Sequence, residues 1–384
     1  MKGIFQGCLL TAASVLLTLA MVESLFHMFP SLVPLAISSA ANDRGVAHPV
    51  IGNTGRPGST GVIRTQDFAQ SYQLDQMGFH NEGPWPSQAD VVAIGDSLVF
   101  GYGVEIDQAW PQLLAGFSGR KVLNLGLIGA SPQQYLRIYE TFGRALKPKL
   151  VVVGFFAAND FWDAEQFELW RQSGVGGNYL EWRDYGRPQA ADLEHVWGRM
   201  EYAAKKHLYL AQLAMLGLKA LSGSPGEPPA MLAWGDGGNI RLDADYLLQK
   251  TANAEPGNPV FSMVLDSLIE LHRLATAEGS QVLVVFQPSK EVIYLPFTGS
   301  EPPQLSEALR GELEKRNIAT LQLIPAFRES ADAGEMLFFS VDGHPNAKGY
   351  RLIAEQVAEW MVRNERYPPA MDPQSEPETQ PESS

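Results

Sequence analysis

Four short apolar runs punctuate the chain from about residue 90 onward, and each ends in glycine or a small polar residue. DVVAIGDS runs into Gly95 and Ser97, KVLNLGLIG covers Lys121 to Gly129, KLVVVGFFAAND covers Lys149 to Asp160, and SQVLVVFQPS covers Ser280 to Ser289. They are rich in β-branched residues and almost continuously apolar, the pattern of strands covered on both faces. Helical spacing fills the gaps. AWPQLLAGF and SPQQYLRIYETFGRALK follow the first two runs. SMVLDSLIELHRLATAEG precedes the fourth, with Val264, Leu268, Leu271 and Leu274 along one face and a stop at Gly279. NIATLQLIPAF is expected as a fifth strand and NAKGYRLIAEQVAEWMVRN as a closing helix. Strand and helix in alternation with short connections predict βαβ units, hence an α/β fold with a mainly parallel five-stranded sheet between helices. Its expected span is 86–366.

The flanks break this rhythm. Gly3 to Val22 carries no charge, and at 1.5 Å per residue such a run spans roughly 30 Å, the thickness of a bilayer core. Residues 3–29 are expected as a transmembrane signal-anchor. A cleavable signal peptide is the alternative, with small residues for a peptidase in ISSAAN, far beyond the apolar run. Lys2 puts the short N-terminal side in the cytoplasm by the positive-inside bias. The body then lies outside it, in the periplasm of a Gram-negative cell, on a single inner-membrane pass. Residues 30–85 are rich in Gly, Pro, Ser and Asn and read as a linker or irregular lead-in. Residues 161–259, with many aromatics and the helical stretch MEYAAKKHLYLAQLAMLGLKAL, read as an insertion beside the sheet. Residues 367–384 have almost nothing to bury and are expected as a disordered acidic tail.

Composition narrows the function. The 384 residues are 45% hydrophobic with a net charge of -14 and no cluster of Lys and Arg, which argues against nucleic acid as a partner. The single cysteine, Cys8, permits no intrachain disulfide and no multi-cysteine metal site. With seven scattered histidines and no phosphate-cradling loop, neither a metal nor another cofactor is expected. Oligomeric state stays open.

Four polar features sit at the ends of the runs, where open α/β sheets bind ligands. Each alone reads as ordinary turn chemistry. Ser97 follows the first run. In NLGLIGAS, Gly126 and Gly129 let backbone amides approach a ligand, with Ser131 as a helix cap. Asn159 follows the third run, and SVDGHPNAKGY places Asp342 and His344 before a helix starting near Pro345 or Asn346. Together they supply the parts of acyl transfer. A serine hydroxyl needs a base, which His344 provides. The imidazole needs an orienting acceptor, which Asp342 provides. A tetrahedral oxyanion needs donors, which the amides of Ser97 and Gly129 and the side chain of Asn159 provide.

Ser97 in GDSLVFGYG, Gly129 in NLGLIGAS, Asn159 in AAND and His344 in DGHPNAKG resemble, in order, the four blocks of the SGNH or GDSL hydrolase superfamily. The resemblance covers about residues 90 to 362 and skips the insertion. It implies a flavodoxin-like three-layer α/β/α fold and the same residue roles. Most of these hydrolases place the Asp three residues before the His, whereas Asp342 is two before His344. That spacing, with FQPSKEVIY (Phe286 to Tyr294), is similar to the SGNH-like domains of alginate O-acetyltransferases. The leading expectation is a membrane-anchored extracytoplasmic serine esterase acting on O-acyl groups of a glycan or a small ester. An O-acetyltransferase of a cell-surface polysaccharide is the second reading, and a catalytically dead carbohydrate-binding protein the third.

Overall fold

The structure is a computed structural model that describes residues 2–34, 45–222, 230–234, 238–301 and 306–364. The chain enters through a long helix, α1 (Lys2–Met28), and later builds one central sheet. Its strands are β1 (Val91–Gly95), β2 (Val122–Gly126), β3 (Leu150–Phe156), β4 (Gln281–Gln287) and β5 (Ala319–Gln322). They lie in the order β5-β4-β3-β1-β2 and every pair is parallel. Helices α2 (Trp110–Ser118), α3 (Pro132–Ile138), α4 (Asp160–Ser173), α5 (Val196–His207), α6 (Tyr209–Ser222), α7 (Pro259–Ala277) and α8 (Ala347–Arg363) follow in chain order, with further short helices between them.

Strand alternation sorts the core into two layers. Val92 and Ile94 of β1 join Val264, Leu268 and Leu271 of α7 and Tyr135 of α3 on one face. Val91 and Ala93 join Trp110 and Leu114 of α2 and Ile353 and Val357 of α8 on the other. The expected α/β fold, with five strands between two helical layers, is the observed one. The strand order is the flavodoxin-like one, in which the chain leaves β1 toward β2 and then crosses to β3 on the other side. A crevice opens at that reversal, above the carboxyl ends of β1 and β3.

Three glycines lie beneath the turn that carries Ser97 to this crevice. Gly126, Gly95 and Gly154 stand in register across β2, β1 and β3. A Cβ on Gly95 or on Gly154 would strike Val99 Cγ2, and one on Gly126 would strike the amide nitrogen of Phe100. The bare strand ends therefore let the helical turn Ser97–Phe100 settle directly onto the sheet. For Gly126 this corrects the sequence reading. Its amide donates to Asn124 Oδ1 at 2.8 Å, and its missing side chain makes room for protein backbone, not for a ligand.

The lead-in differs from the linker or irregular stretch expected for 30–85. Where it is described, it holds two antiparallel hairpins, Val46–His48 with Gly52–Thr54 and Thr60–Arg64 with Ala69–Gln73. Ile51 and Phe79 are fully buried in the core. Asn81 is stitched to β2: its Oδ1 accepts from the Asn124 amide at 2.9 Å, and its Nδ2 donates to the Asn124 carbonyl at 2.8 Å. Asn124 Nδ2 donates in turn to the Val99 carbonyl at 2.8 Å, so the lead-in braces the turn that carries Ser97. The insertion also begins later than expected. Phe161 and Ala164 of α4 belong to the core cluster, and the irregular part follows Ser173. The aromatics Phe167 and Trp170 of α4 and Tyr179 and Trp182 beyond it pack on one another. The long helical stretch is two helices, broken at Leu208.

In α1, Gln6–Met28 is long and apolar enough to cross a membrane, with mean hydropathy 1.9 and none of that window buried. ISSAAN and the tail 367–384 lie outside the described residues.

Gly126→Ala tests this seating. Forcing a methyl against the Phe100 backbone should destabilise the protein by about 1–3 kcal/mol, the range for overpacking. A shift of the urea midpoint to lower concentration is expected; an unchanged midpoint would mean the turn is not seated on this glycine.

Candidate active site

Ser97 leaves the end of β1 on a sharp helical turn. Asp96 caps it, its Oδ1 accepting from the Leu98 amide at 2.9 Å, and Gly101 ends it at φ 87°. Four residues of turn between a buried strand and a left-handed glycine leave the serine little freedom, and its side chain points into the crevice.

His344 arrives from the loop ahead of α8, which Asn346 caps. His344 Nε2 lies 2.8 Å from Ser97 Oγ, and His344 Nδ1 lies 2.6 Å from Asp342 Oδ1. The same carboxylate oxygen accepts the His344 backbone amide at 2.9 Å. The two-residue spacing is thus a working reach: the loop curls so that one oxygen meets both groups. The Tyr102 ring packs on the imidazole at 4.5 Å between centroids.

Two distant residues hold this loop. Lys290, from the KEVIY turn after β4, donates to the carbonyls of Val341 at 2.9 Å and Asp342 at 3.0 Å. Asp67, from the lead-in, accepts the amides of Val341 at 2.9 Å and Asp342 at 2.6 Å. Burial pushes the Asp342 carboxyl up, but the charge and hydrogen bonds of His344, with Lys290 behind them, outweigh it and hold the group below the usual carboxylate range.

Asn159 stands at the start of α4, and its Nδ2 donates to Asp96 Oδ2 at 3.2 Å. Its Oδ1 is buried without a partner. The turn is locked by the next residue, Asp160, which accepts the Tyr135 hydroxyl at 2.6 Å and the Phe156 amide at 2.9 Å. Burial raises the Asp96 carboxyl, against the hydrogen bonds from Leu98 and Asn159 that draw it down. Gly129 adopts φ 70°, and a Cβ there would come within 3.0 Å of the Arg183 guanidinium. Arg183 reaches in from the insertion and donates to Asp163 at 2.9 Å.

Ser97, Gly129, Asn159, Asp342 and His344 line one cavity of about 650 Å³, together with Trp162, Arg183 and Lys290. All five residues expected from the sequence meet there. A hydroxyl within hydrogen-bond reach of an imidazole, whose other nitrogen faces a carboxylate, is an arrangement able to make the hydroxyl nucleophilic. The sequence reading did not include Asp96, Asp67, Arg183 or Asp163. Asp96 carries a readable signal, an Asp at the N-cap of a helical turn. Asp67 carries none, since its partners lie 274 and 275 residues away.

A model of the GDSL-like Lipase/Acylhydrolase family matches residues 93–352, more than half of the chain. The chain belongs to this family. Membership makes it an ester hydrolase by class. No curated protein matches the chain. Among solved structures it is similar to a putative lipolytic G-D-S-L protein from Desulfitobacterium hafniense, at 14% identity and TM-score 0.35, covering 71% of this chain and 99% of that one. It is similar to a catalytic mutant of an acetylxylan esterase from Geobacillus stearothermophilus, at 14% identity and TM-score 0.35, covering 74% and 96%. An esterase from Pseudoalteromonas sp. gives 13% identity and TM-score 0.34, covering 71% and 97%.

The depressed Asp342 pKa has a measurable sign. A carboxyl lower in the folded than in the unfolded state stabilises fully above the unfolded value, about 3.9, and loses this as pH falls through the folded value. The stability advantage of the wild type over Asp342→Asn should therefore be present at neutral pH and shrink below about pH 4. Urea unfolding across that range checks it; an advantage that grows with acid would contradict the pairing with His344.

Proposed function

We propose that this GDSL-family enzyme is a membrane-anchored, extracytoplasmic serine esterase that removes O-acyl groups, acetyl above all, from a glycan or a small ester. The observation that carries the reading is the chain of contacts from Ser97 Oγ to His344 Nε2 at 2.8 Å and from His344 Nδ1 to Asp342 at 2.6 Å. Ser97 Oγ attacks the ester carbonyl carbon while its proton passes to His344 Nε2. The imidazolium so formed is held by the Asp342 carboxylate. Negative charge on the tetrahedral oxygen is met by the amides of Ser97 and Gly129 and by Asn159 Nδ2. Only one Nδ2 hydrogen goes to Asp96, so the other is available for the oxyanion, and Asp96 acts as the brace that aims it. Collapse breaks the C–O bond, and His344 returns the proton to the leaving alcohol. Water, activated by the same imidazole, then cleaves the acyl-serine and regenerates the free hydroxyl.

The anchor part of the proposal rests on α1, and the acetyl-glycan part on a cavity of about 650 Å³, large enough for a sugar beside a small acyl group, with Arg183, Lys250 and Lys290 among its lining. A transferase reading rests on the resemblance of FQPSKEVIY to the SGNH-like domains of alginate O-acetyltransferases, and the same turn holds the site together. Lys290 braces the His344 loop, and the Tyr294 hydroxyl accepts the Leu337 amide at 2.9 Å and donates to the Glu335 carbonyl at 3.0 Å, fixing the segment that leads to this loop. A sugar hydroxyl would then replace water in the second step.

Acetate released from an acetylated glycan, with and without a second sugar acceptor, separates the two. Hydrolysis predicts release unaffected by acceptor, and transfer predicts release suppressed as acetyl appears on the acceptor. Asn159→Ala should lower kcat by about 10² to 10³, the range for one oxyanion donor. Wild-type turnover in that variant would reduce Asn159 to a turn residue. Asp342→Asn and His344→Ala should each impair kcat strongly, and their losses should not add, because both act through one proton transfer. Full additivity in the double variant would require a different partner for the imidazole.

A further inference from the structure

The insertion contains an apolar helix whose later turns nothing in the described residues buries. α6 reads YLAQLAMLGLKALS, and none of its residues whose side chains are described is buried. Leu218 and Leu221 are 66% and 86% exposed. At 1.5 Å per residue its length is about 21 Å, too short for a bilayer core of roughly 30 Å. The helix is neither a core element nor a span. Beside it, α5 is amphipathic: Val196, Trp197 and Met200 are exposed, Trp197 by 79%, while Lys206 turns back to pair with Glu181 at 2.7 Å.

Contacts with α1 say what covers this face. Glu23 of α1 accepts the amides of Tyr209 at 2.8 Å and Leu210 at 3.0 Å, so a side chain of α1 caps the first turn of α6. The Tyr209 ring packs against Phe26 at 6.0 Å and His27 at 4.8 Å. The exposed apolar surface of α6 therefore begins at the end of the exposed apolar surface of α1, where the first acidic side chain of that helix appears.

We propose that α5 and α6 form a monotopic contact lying in the headgroup boundary of the same bilayer that α1 enters. It rests on the reading of α1 as a membrane segment. Leu218 and Leu221, three residues apart on one face, enter the acyl boundary and Trp197 sits at headgroup level, the depth indole prefers. A single helix leaves a domain free to swing, whereas two contacts fix its tilt. The insertion also supplies Arg183 and Lys250 to the cavity wall. Docking α5 and α6 thus sets the orientation of the catalytic crevice to the membrane.

The test uses the full chain. With Cys8→Ser as background, single cysteines in place of Trp197, Leu218 and, as a reference, Phe117 are labelled with an environment-sensitive fluorophore. A label on native Cys8 reports α1. Each protein is reconstituted into phosphatidylcholine–phosphatidylglycerol vesicles with or without brominated acyl chains. Labels at 197 and 218 should shift to the blue and lose several-fold in emission with brominated lipid, while the label at 117 should not. Quenching at Cys8 with water-like emission at 197 and 218 would overturn the monotopic contact and spare the anchor. Failure of the protein to float with vesicles would overturn both. A blue shift at 197 and 218 without bromine quenching, together with a dimer by light scattering, would assign the face to a second copy and overturn the proposal.

Discussion

Everything at the site depends on how closely the Ser97 turn approaches the sheet. Registered glycines on β2, β1 and β3 remove every Cβ from the place where the turn lands. Side chains there would lift Ser97 away from the crevice and from His344. The same strand order that reverses direction at β1 leaves the space above these glycines unfilled by a crossover connection. Fold and chemistry meet in one packing constraint, a helical turn resting on bare backbone.

The partner of that turn is held from elsewhere. His344 sits on a loop without regular structure, and such a loop would not fix a ring nitrogen at hydrogen-bond distance unaided. Lys290 ties its carbonyls and Asp67 ties its amides, one from the end of β4 and one from the lead-in. The lead-in also braces the opposite partner through Asn81, Asn124 and the Val99 carbonyl. One segment thus touches both sides of the Ser97–His344 contact. A segment rich in Gly and Pro earns its order here through buried hydrogen bonds, which are costly to leave unmade.

The legible parts of this molecule were those with a period or a short spacing. Nearly continuous apolar runs marked four of the five strands, NIATLQLIPAF held the fifth, and Ser97, Gly129, Asn159 and His344 stood at strand ends or a helix entrance where ligand chemistry belongs. The lead-in was not legible because its strands, VAH, GNT, TGVIR and AQSYQ, are short and carry no apolar run to stand above turn chemistry. Gly126 was misread because a strand-end glycine has two uses, admitting a ligand or admitting backbone, and only the position of Phe100 chooses. Asp67, and the buried pair Asn81 and Asn124, act across long separations that no local pattern encodes. Asp342 shows the reverse case: its unusual two-residue spacing was visible, but only the curl of the loop makes the reach.

The central claim is that this constraint turns Ser97 into the nucleophile. Treatment of the wild type with a fluorophosphonate, followed by digestion and peptide mass spectrometry, tests it most directly. The account predicts one phosphonyl adduct, on Ser97 Oγ in the peptide containing GDSLVFGYG. A stoichiometric adduct on any other residue, with Ser97 unmodified, would contradict it.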